Sequence, residues 1–276
     1  MQRITQTALD LNCESLVLTF FPHPRMVLEE KSAIKLLNTI DEKVFLIAKS
    51  GLDNLIIHPF DKAFSELTAE EFVKKILVEK LNIHKIIIGH DHRFGKNRNA
   101  NIDDLIHFGE KYHFEVEQIS AEEINEVSIS STKIRNALSE GNIDLVTEYL
   151  GYNYLLTGIV SHGKQLGRTI GFPTANIQIR ETYKLIPKNG VYIAKSVINN
   201  KTVFGIMNIG VRPTVDGVTQ TIEIHFFDFN EDIYDKQLVI SILKRIRDEQ
   251  KFESLDALKN QLALDKQASL TYISKL

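Results

Sequence analysis

The sequence predicts two domains of different class: an α/β half over residues 1–150, and an all-β half over residues 151–276 that closes as a small antiparallel β-barrel with a C-terminal helix. Three observations carry this. The chain has 276 residues, enough for two domains of ordinary size. Its first half alternates short apolar runs with segments of helical spacing. After Gly151 the rhythm changes to runs of β-branched residues separated by turns.

In the first half, Ile4, Ala8 and Leu11 have helical spacing. Residues 15–20, 55–58, 85–89 and 114–119 read as strands, and 41–50, 68–81 and 101–112 as helices. Thr68 and Glu71 form a capping-box pair. Such alternation favours a parallel sheet with helices on both faces and ligands at the carboxyl ends of the strands. In the second half, 190–198 and 202–209 form a hairpin through Asn199, Asn200 and Lys201, and strands 221–229 and 237–246 follow. Closure into a barrel is the economical packing for so many short strands. From Ser254 onward, Leu255, Leu258 and Leu262 share one face of a helix expected to cover the barrel.

Composition narrows the function. Hydrophobic residues make up 43% and charged residues 25%, as in soluble globular proteins. No apolar run approaches the roughly 20 residues that span a bilayer, and residues 1–12 lack the apolar core of a secretory signal. A cytoplasmic protein with no membrane partner is expected. The single cysteine, Cys13, excludes an internal disulfide and fits a reducing compartment. The formal net charge is −3, with Lys and Arg scattered, which argues against a nucleic-acid face but leaves room for small phosphorylated ligands.

The stretch 158–176, GIVSHGKQLGRTIGFPTAN, carries the most chemistry. Gly163, Gly167 and Gly171 let backbone amides approach an anion, and Lys164 and Arg168 add positive charge. Thr174 and Asn176 alternate on a strand, so both face one way and offer neutral oxygens suited to Mg²⁺. Glycine turns between strands also occur without a ligand, and the two polar side chains can equally satisfy turn backbone. In the first half, His90 and His92 lie two apart but have no third metal ligand nearby. Gly89, Gly95 and Lys96 miss a Walker A loop by one residue, with Asn97 in place of its Ser or Thr.

Longer strings identify a family resemblance. GRTIGFPTANI at 167–177, GVYIA at 190–194, MNIGVRPT at 207–214, TIEIHFFDF at 221–229 and IRDEQKFESLDALKNQ at 246–261 span nearly the whole second half. In the first half TFFPHP at 19–24, LLNTIDEK at 36–43, IIGHDHRFG at 87–95 and ISSTKIRNAL at 129–138 add to them. Together they resemble the bifunctional riboflavin kinase/FAD synthetase family.

The resemblance implies a Rossmann-like nucleotidyltransferase (FMN adenylyltransferase) domain over 1–150 and a riboflavin kinase domain over 151–276. The substrates and products it implies are small molecules: riboflavin, FMN and ATP, with Mg²⁺ as cofactor. It assigns Glu223 as the catalytic base at the barrel rim. The phosphate site is Gly158, His162, Gly163, Lys164, Gly167, Arg168, Gly171, Thr174 and Asn176, with Mg²⁺ at Thr174 and Asn176. Arg247 is placed near the flavin or phosphates, and Asn208 and Arg212 near the nucleotide. A carboxylate at 223 can also be one of the solvated groups usual on an alternating strand.

The adenylyltransferase site implied in the first half comprises Asp91, Arg93, Ser130, Ser131, Thr132 and Arg135, although the three hydroxyl residues can simply be helix caps. The family opens this domain with a strand, a glycine turn and an HxGH motif, and no HxGH occurs in this sequence. The expectation is an N-terminally incomplete first domain that does not form FAD at a useful rate. The alternatives are a complete bifunctional enzyme read from a longer frame and a non-catalytic flavin or nucleotide carrier.

Overall fold

The computed structural model describes residues 1–29, 33–89, 92–119, 129–162, 167, 171–214 and 217–276. Two compact units form, one from residues 1–34 and 43–128, the other from residues 35–42 and 129–276. Among the described residues no helix is long and apolar enough to cross a membrane.

The first half runs α1 (Gln2–Asp10), β1 (Leu16–Phe21), α2 (Pro24–Leu28), α3 (Ile40–Ala48), β2 (Asn54–Pro59), α4 (Lys62–Ser65), α5 (Ala69–Phe72), β3 (Lys85–Gly89), α6 (Ile102–Tyr112) and β4 (Glu115–Ile119). Thr68 and Glu71 cap α5 reciprocally as predicted, and the chain then widens into a π-helical stretch over Val73–Val78. Asn101 caps α6 by accepting from the amides of Asp103 and Asp104, and His113 ends it in the left-handed region at φ 64°. Val73, Leu77, Ile88, Leu105 and Phe114 are buried together as the core of this unit.

The parallel pairing is present but divided. β1 pairs with β2 and β3 with β4, and among the described residues the two ladders are not joined. A cavity of about 1260 Å³ is lined by residues of both β1 and β3 and by Ile4 and Ala8 of α1. The resemblance places a strand and its HxGH turn in this sheet, and the 276 residues contain no HxGH.

The second unit continues with α7 (Ser131–Glu140), α8 (Ile143–Leu150), β5 (Leu155–Ser161), β6 (Ala175–Gln178), β7 (Gly190–Ile198), β8 (Lys201–Thr214), β9 (Gly217–Phe226), β10 (Gln237–Arg247) and α9 (Leu255–Ile273). The six strands close a barrel in the order β10-β5-β6-β9-β8-β7. Asn199 and Asn200, at φ 49° and 62°, make the tight β7–β8 turn, a conformation that asparagine tolerates and hairpins favour. Leu156, Tyr192, Met207, Ile209, Ile224 and Ile240 fill the interior, and Ile134, Leu138, Ile143 and Val146 of α7 and α8 join the same core.

Residues 35–42 belong to the barrel unit through specific bonds. The Leu36 amide donates to Tyr183 O (2.7 Å) and Leu36 O accepts from the Leu185 amide (2.9 Å). The Lys184 ammonium reaches Leu37 O at 2.6 Å and Glu42 Oε2 at 2.5 Å. Glu42 Oε1 accepts from the Thr157 amide of β5 at 2.9 Å.

The covering helix keeps the expected face, with Leu258 and Leu262 half-buried, but its first turn stands free and its anchor is polar. Leu255 is 65% exposed, whereas the most buried residues of α9 are polar, Asp265 at 2% and Ser269 at 0%. Asp265 and Ser269 continue the face of Leu258 and Leu262, and an ion pair anchors it: Arg247 donates Nε to Asp265 Oδ1 at 3.0 Å and a terminal nitrogen to Oδ2 at 2.7 Å, and Gln261 adds a bond at 2.8 Å. Asp265→Ala should cost about 2 kcal/mol, the scale of hydrogen bonds to a charged group. Thermal denaturation checks it, and an unchanged melting temperature would dismiss the anchor.

Candidate active site

Alternation along β9 decides what Glu223 can touch. Ile222, Ile224 and Phe226 are buried in the barrel core, so Thr221, Glu223 and His225 face away from it. Register then places Glu223 opposite Asn176 of β6 and opposite Asn208 of β8. Directly opposed residues share a face, so three polar side chains form a row across three neighbouring strands. These side chains therefore sit on the outward-facing side of the barrel wall.

Glu223 is engaged there rather than freely solvated, with its side chain 23% exposed. The Thr174 hydroxyl donates to Oε2 at 3.3 Å, and the Arg212 guanidinium donates to Oε1 at 2.9 Å. Next to Asn208 on the same face, Gly210 makes room for another carboxylate: a Cβ there would lie 2.1 Å from Glu249 Oε1. Glu249 was not singled out in the sequence, where it reads as one charge in a polar run.

The start of β6 is held from β9. His225 Nδ1 lies 2.8 Å from Pro173 O, and its ring meets Phe172 edge-on with centroids 5.1 Å apart. Burial lowers the His225 pKa, a shift the Pro173 contact opposes.

The remaining predicted residues separate clearly. Gly163, Lys164, Arg168 and Asp91 lie outside the described residues, as does His90. Gly171 sits at φ +83° with open space around it, and Gly167 cannot carry a side chain because a Cβ would stand 2.2 Å from Phe172 O. Gly158 is a correction: it is buried in β5, where a Cβ would be 2.6 Å from Ile177 Cγ2, so it serves strand packing. His162 stacks on Tyr234 with centroids 3.9 Å apart. Arg247 is occupied by Asp265, as described above.

In the first unit, Arg93 lines the cavity. Ser130 caps α7 by accepting from the Lys133 amide, so it is a helix cap, and Ser131 and Thr132 open that helix. Arg135 donates to Lys35 O at 2.9 Å. These four belong to the barrel unit. Among the described residues no cluster of three His, Cys, Asp or Glu could hold a metal.

Comparison with known proteins settles the kinship. A family model described as riboflavin kinase matches residues 150–273, and one described as FAD synthetase matches residues 1–133. A bifunctional riboflavin kinase/FMN adenylyltransferase from Buchnera aphidicola (Schizaphis graminum) is 40% identical over 258 residues, covering 92% of this chain and 82% of the relative. The chain belongs to the riboflavin kinase/FMN adenylyltransferase family. The family member from Escherichia coli K12 is 36% identical over 266 residues, covering 96% of this chain and 84% of its own. A crystal structure described as a macrolide-efflux protein from Streptococcus pneumoniae matches with a TM-score of 0.87 at 30% identity, covering 97% of this chain and 87% of that one. Within the region matched by the riboflavin kinase model lie Thr174, Asn176, Asn208, Arg212, Glu223 and His225.

Proposed function

We propose that the barrel unit transfers the γ-phosphoryl group of ATP to the terminal hydroxyl of riboflavin, giving FMN and ADP, with Glu223 as general base. The observation that carries this reading is the Glu223 carboxylate, which accepts from Thr174 at 3.3 Å and stands directly across from Asn176. Phosphoryl transfer depends chiefly on alignment and charge stabilisation, and this wall supplies both an acceptor and oriented oxygens.

The contact from Thr174 is long for an O–H···O bond, whose usual range is about 2.5–3.0 Å. Oε2 is therefore the oxygen best placed to take a stronger donor. The ribityl hydroxyl gives its proton to Oε2 as its oxygen bonds to the γ-phosphorus, and the bond from that phosphorus to the β-phosphate oxygen breaks to release ADP. Arg212, bonded to Oε1, fixes the carboxylate so that Oε2 stays presented.

The Thr174 hydroxyl and the Asn176 amide oxygen are hard, neutral donors that fit Mg²⁺ beside phosphate oxygens. Held by Thr174 and Asn176, Mg²⁺ would offset charge on the ATP phosphates. In this reading the phosphate cradle comes from residues 162–171, after β5 ends at Ser161. The small-molecule partners are riboflavin, FMN and ATP in the cytoplasm.

For the first unit we expect no useful conversion of FMN to FAD by these 276 residues. The absence of HxGH from these residues, and the two ladders left unjoined among the described residues, support that reading. Incubation with riboflavin, ATP and Mg²⁺ followed by chromatography tests both halves at once. FMN alone is the expected product, FMN with abundant FAD overturns the second statement, and no flavin phosphate overturns the first.

A further inference from the structure

We propose that His225 is a positioning residue of the kinase site: its Nδ1–H, donated to the Pro173 carbonyl, holds the start of β6 so that Thr174 and Asn176 meet Glu223. This rests on the reading of Thr174, Asn176 and Glu223 as the reaction site.

The ladder between β6 and β9 is very short. Its registered pairs are Ala175 with Ile224 and Asn176 with Glu223. Continued in the same register, Thr174 would oppose His225, and the next residue outward is Pro173, which has no N–H to donate to a ladder. A side chain takes over at that point. His225 lies on the outer face with Glu223, two residues along the same strand, and its Nδ1 is 2.8 Å from Pro173 O.

Three further facts make this a built contact. Phe172 and Phe227 meet the imidazole edge-on, at centroid distances of 5.1 and 6.0 Å, and fix its plane. The Phe172 amide bonds Gly167 O at 2.9 Å, so the clamped corner is also tied to the preceding loop. Thr174, adjoining the clamped carbonyl, reaches Glu223 only at 3.3 Å. A hydroxyl at the limit of bonding distance is sensitive to small displacement of its backbone, and misplacement by about 1 Å can cost on the order of 10²-fold in rate.

A carbonyl accepts only from a protonated nitrogen, so the neutral imidazole must be the Nδ1–H tautomer. Nitrogen-15 NMR of His225 in the full-length protein reads this without any turnover. A protonated Nδ1 is expected, and a neutral ring protonated at Nε2 overturns the proposal.

Kinetics supply the second arm. His225→Phe keeps a ring between Phe172 and Phe227 but removes the donor, whereas His225→Asn keeps an N–H close to the Nδ1 position. His225→Phe should lower kcat for FMN formation by about 10–100-fold, the usual scale for residues that orient ligating groups, with His225→Asn within about threefold of the parent by the same reasoning. Should His225→Phe lower the melting temperature, His225→Leu serves as the donor-free variant. A folded donor-free variant with full kcat, or a folded His225→Asn as slow as His225→Phe, overturns the proposal.

Combination with Thr174→Ala separates this inference from the reading beneath it. If His225 acts through Thr174 and Asn176, the double variant is little slower than the slower single variant. Additive losses overturn the role of His225 alone. A fully active Thr174→Ala overturns the underlying site and this inference with it.

Discussion

Glu223→Gln is expected to lower kcat for FMN formation by about 10²–10⁴-fold, the range a positioned general base contributes, with an unchanged melting temperature. The amide keeps the shape of the carboxylate and can still accept from Thr174 or Arg212 through its one carbonyl oxygen. It cannot take a proton from the ribityl hydroxyl. The side chain faces away from the barrel core and is 23% exposed, so no packing is lost and a folding defect is not the source of the change. Loss of kcat with riboflavin KM nearly constant is the pattern of a group needed only in the transition state. Undiminished turnover would remove Glu223 from the mechanism, leaving it as an ion-pair partner of Arg212.

The largest expected effect on stability lies at Glu42. Its carboxylate and the Lys184 ammonium are 1% and 0% exposed and 2.5 Å apart. The Lys184 pKa is lowered from its ordinary value to about 8, because burial opposes the charged form more than Glu42 supports it, and the group still carries its charge at neutral pH. Glu42 also accepts from the amides of Thr39 at 3.0 Å and Thr157 at 2.9 Å, so one carboxylate joins residues 35–42 to β5 and to Lys184. Glu42→Ala leaves a buried cation and two amides without their acceptor. Breaking one side of a buried pair costs about 3–5 kcal/mol. The chain has no tryptophan, so near-ultraviolet circular dichroism of Tyr154 and Tyr192, both fully buried in the barrel, follows unfolding in urea. A loss under about 1 kcal/mol, the level of an exposed pair, would mean that water replaces the carboxylate.

The same pair bears on where the kinase unit begins. Residue 150 marks the change of rhythm in the sequence, because strand alternation starts after Gly151. Packing groups α7, α8 and residues 35–42 with the barrel. Periodicity reports the type of each element and carries little information about which distant segment it packs against.

The candidate site was legible to different depths. Thr174 and Asn176 were readable as a same-face pair because a strand alternates with period two, and Glu223 because its string resembles a known one. That Glu223 stands between Asn176 and Asn208 follows from a pairing register that only the closed barrel reveals. The role of His225 has no local signal in the sequence, since its partner is a backbone carbonyl 52 residues away. Arg247 illustrates the reverse. Its motif suggested ligand contact, and the structure gives its guanidinium to Asp265, a residue that periodicity could not nominate because it is charged.

By itself the sequence determined what local physics controls: an α/β half followed by a β half, the Thr68 cap, the Asn199–Asn200 turn, and a family whose chemistry needs a carboxylate beside phosphate-binding oxygens. Tertiary structure alone decided the outward-facing position of that carboxylate between two neighbouring strands, the burial of Gly158, and the ion pairs that attach residues 35–42 and α9 to the barrel. The reason is range. Propensity, capping and alternation act over a few residues, whereas register and buried charge pairing join groups that come together only once the chain has closed on itself.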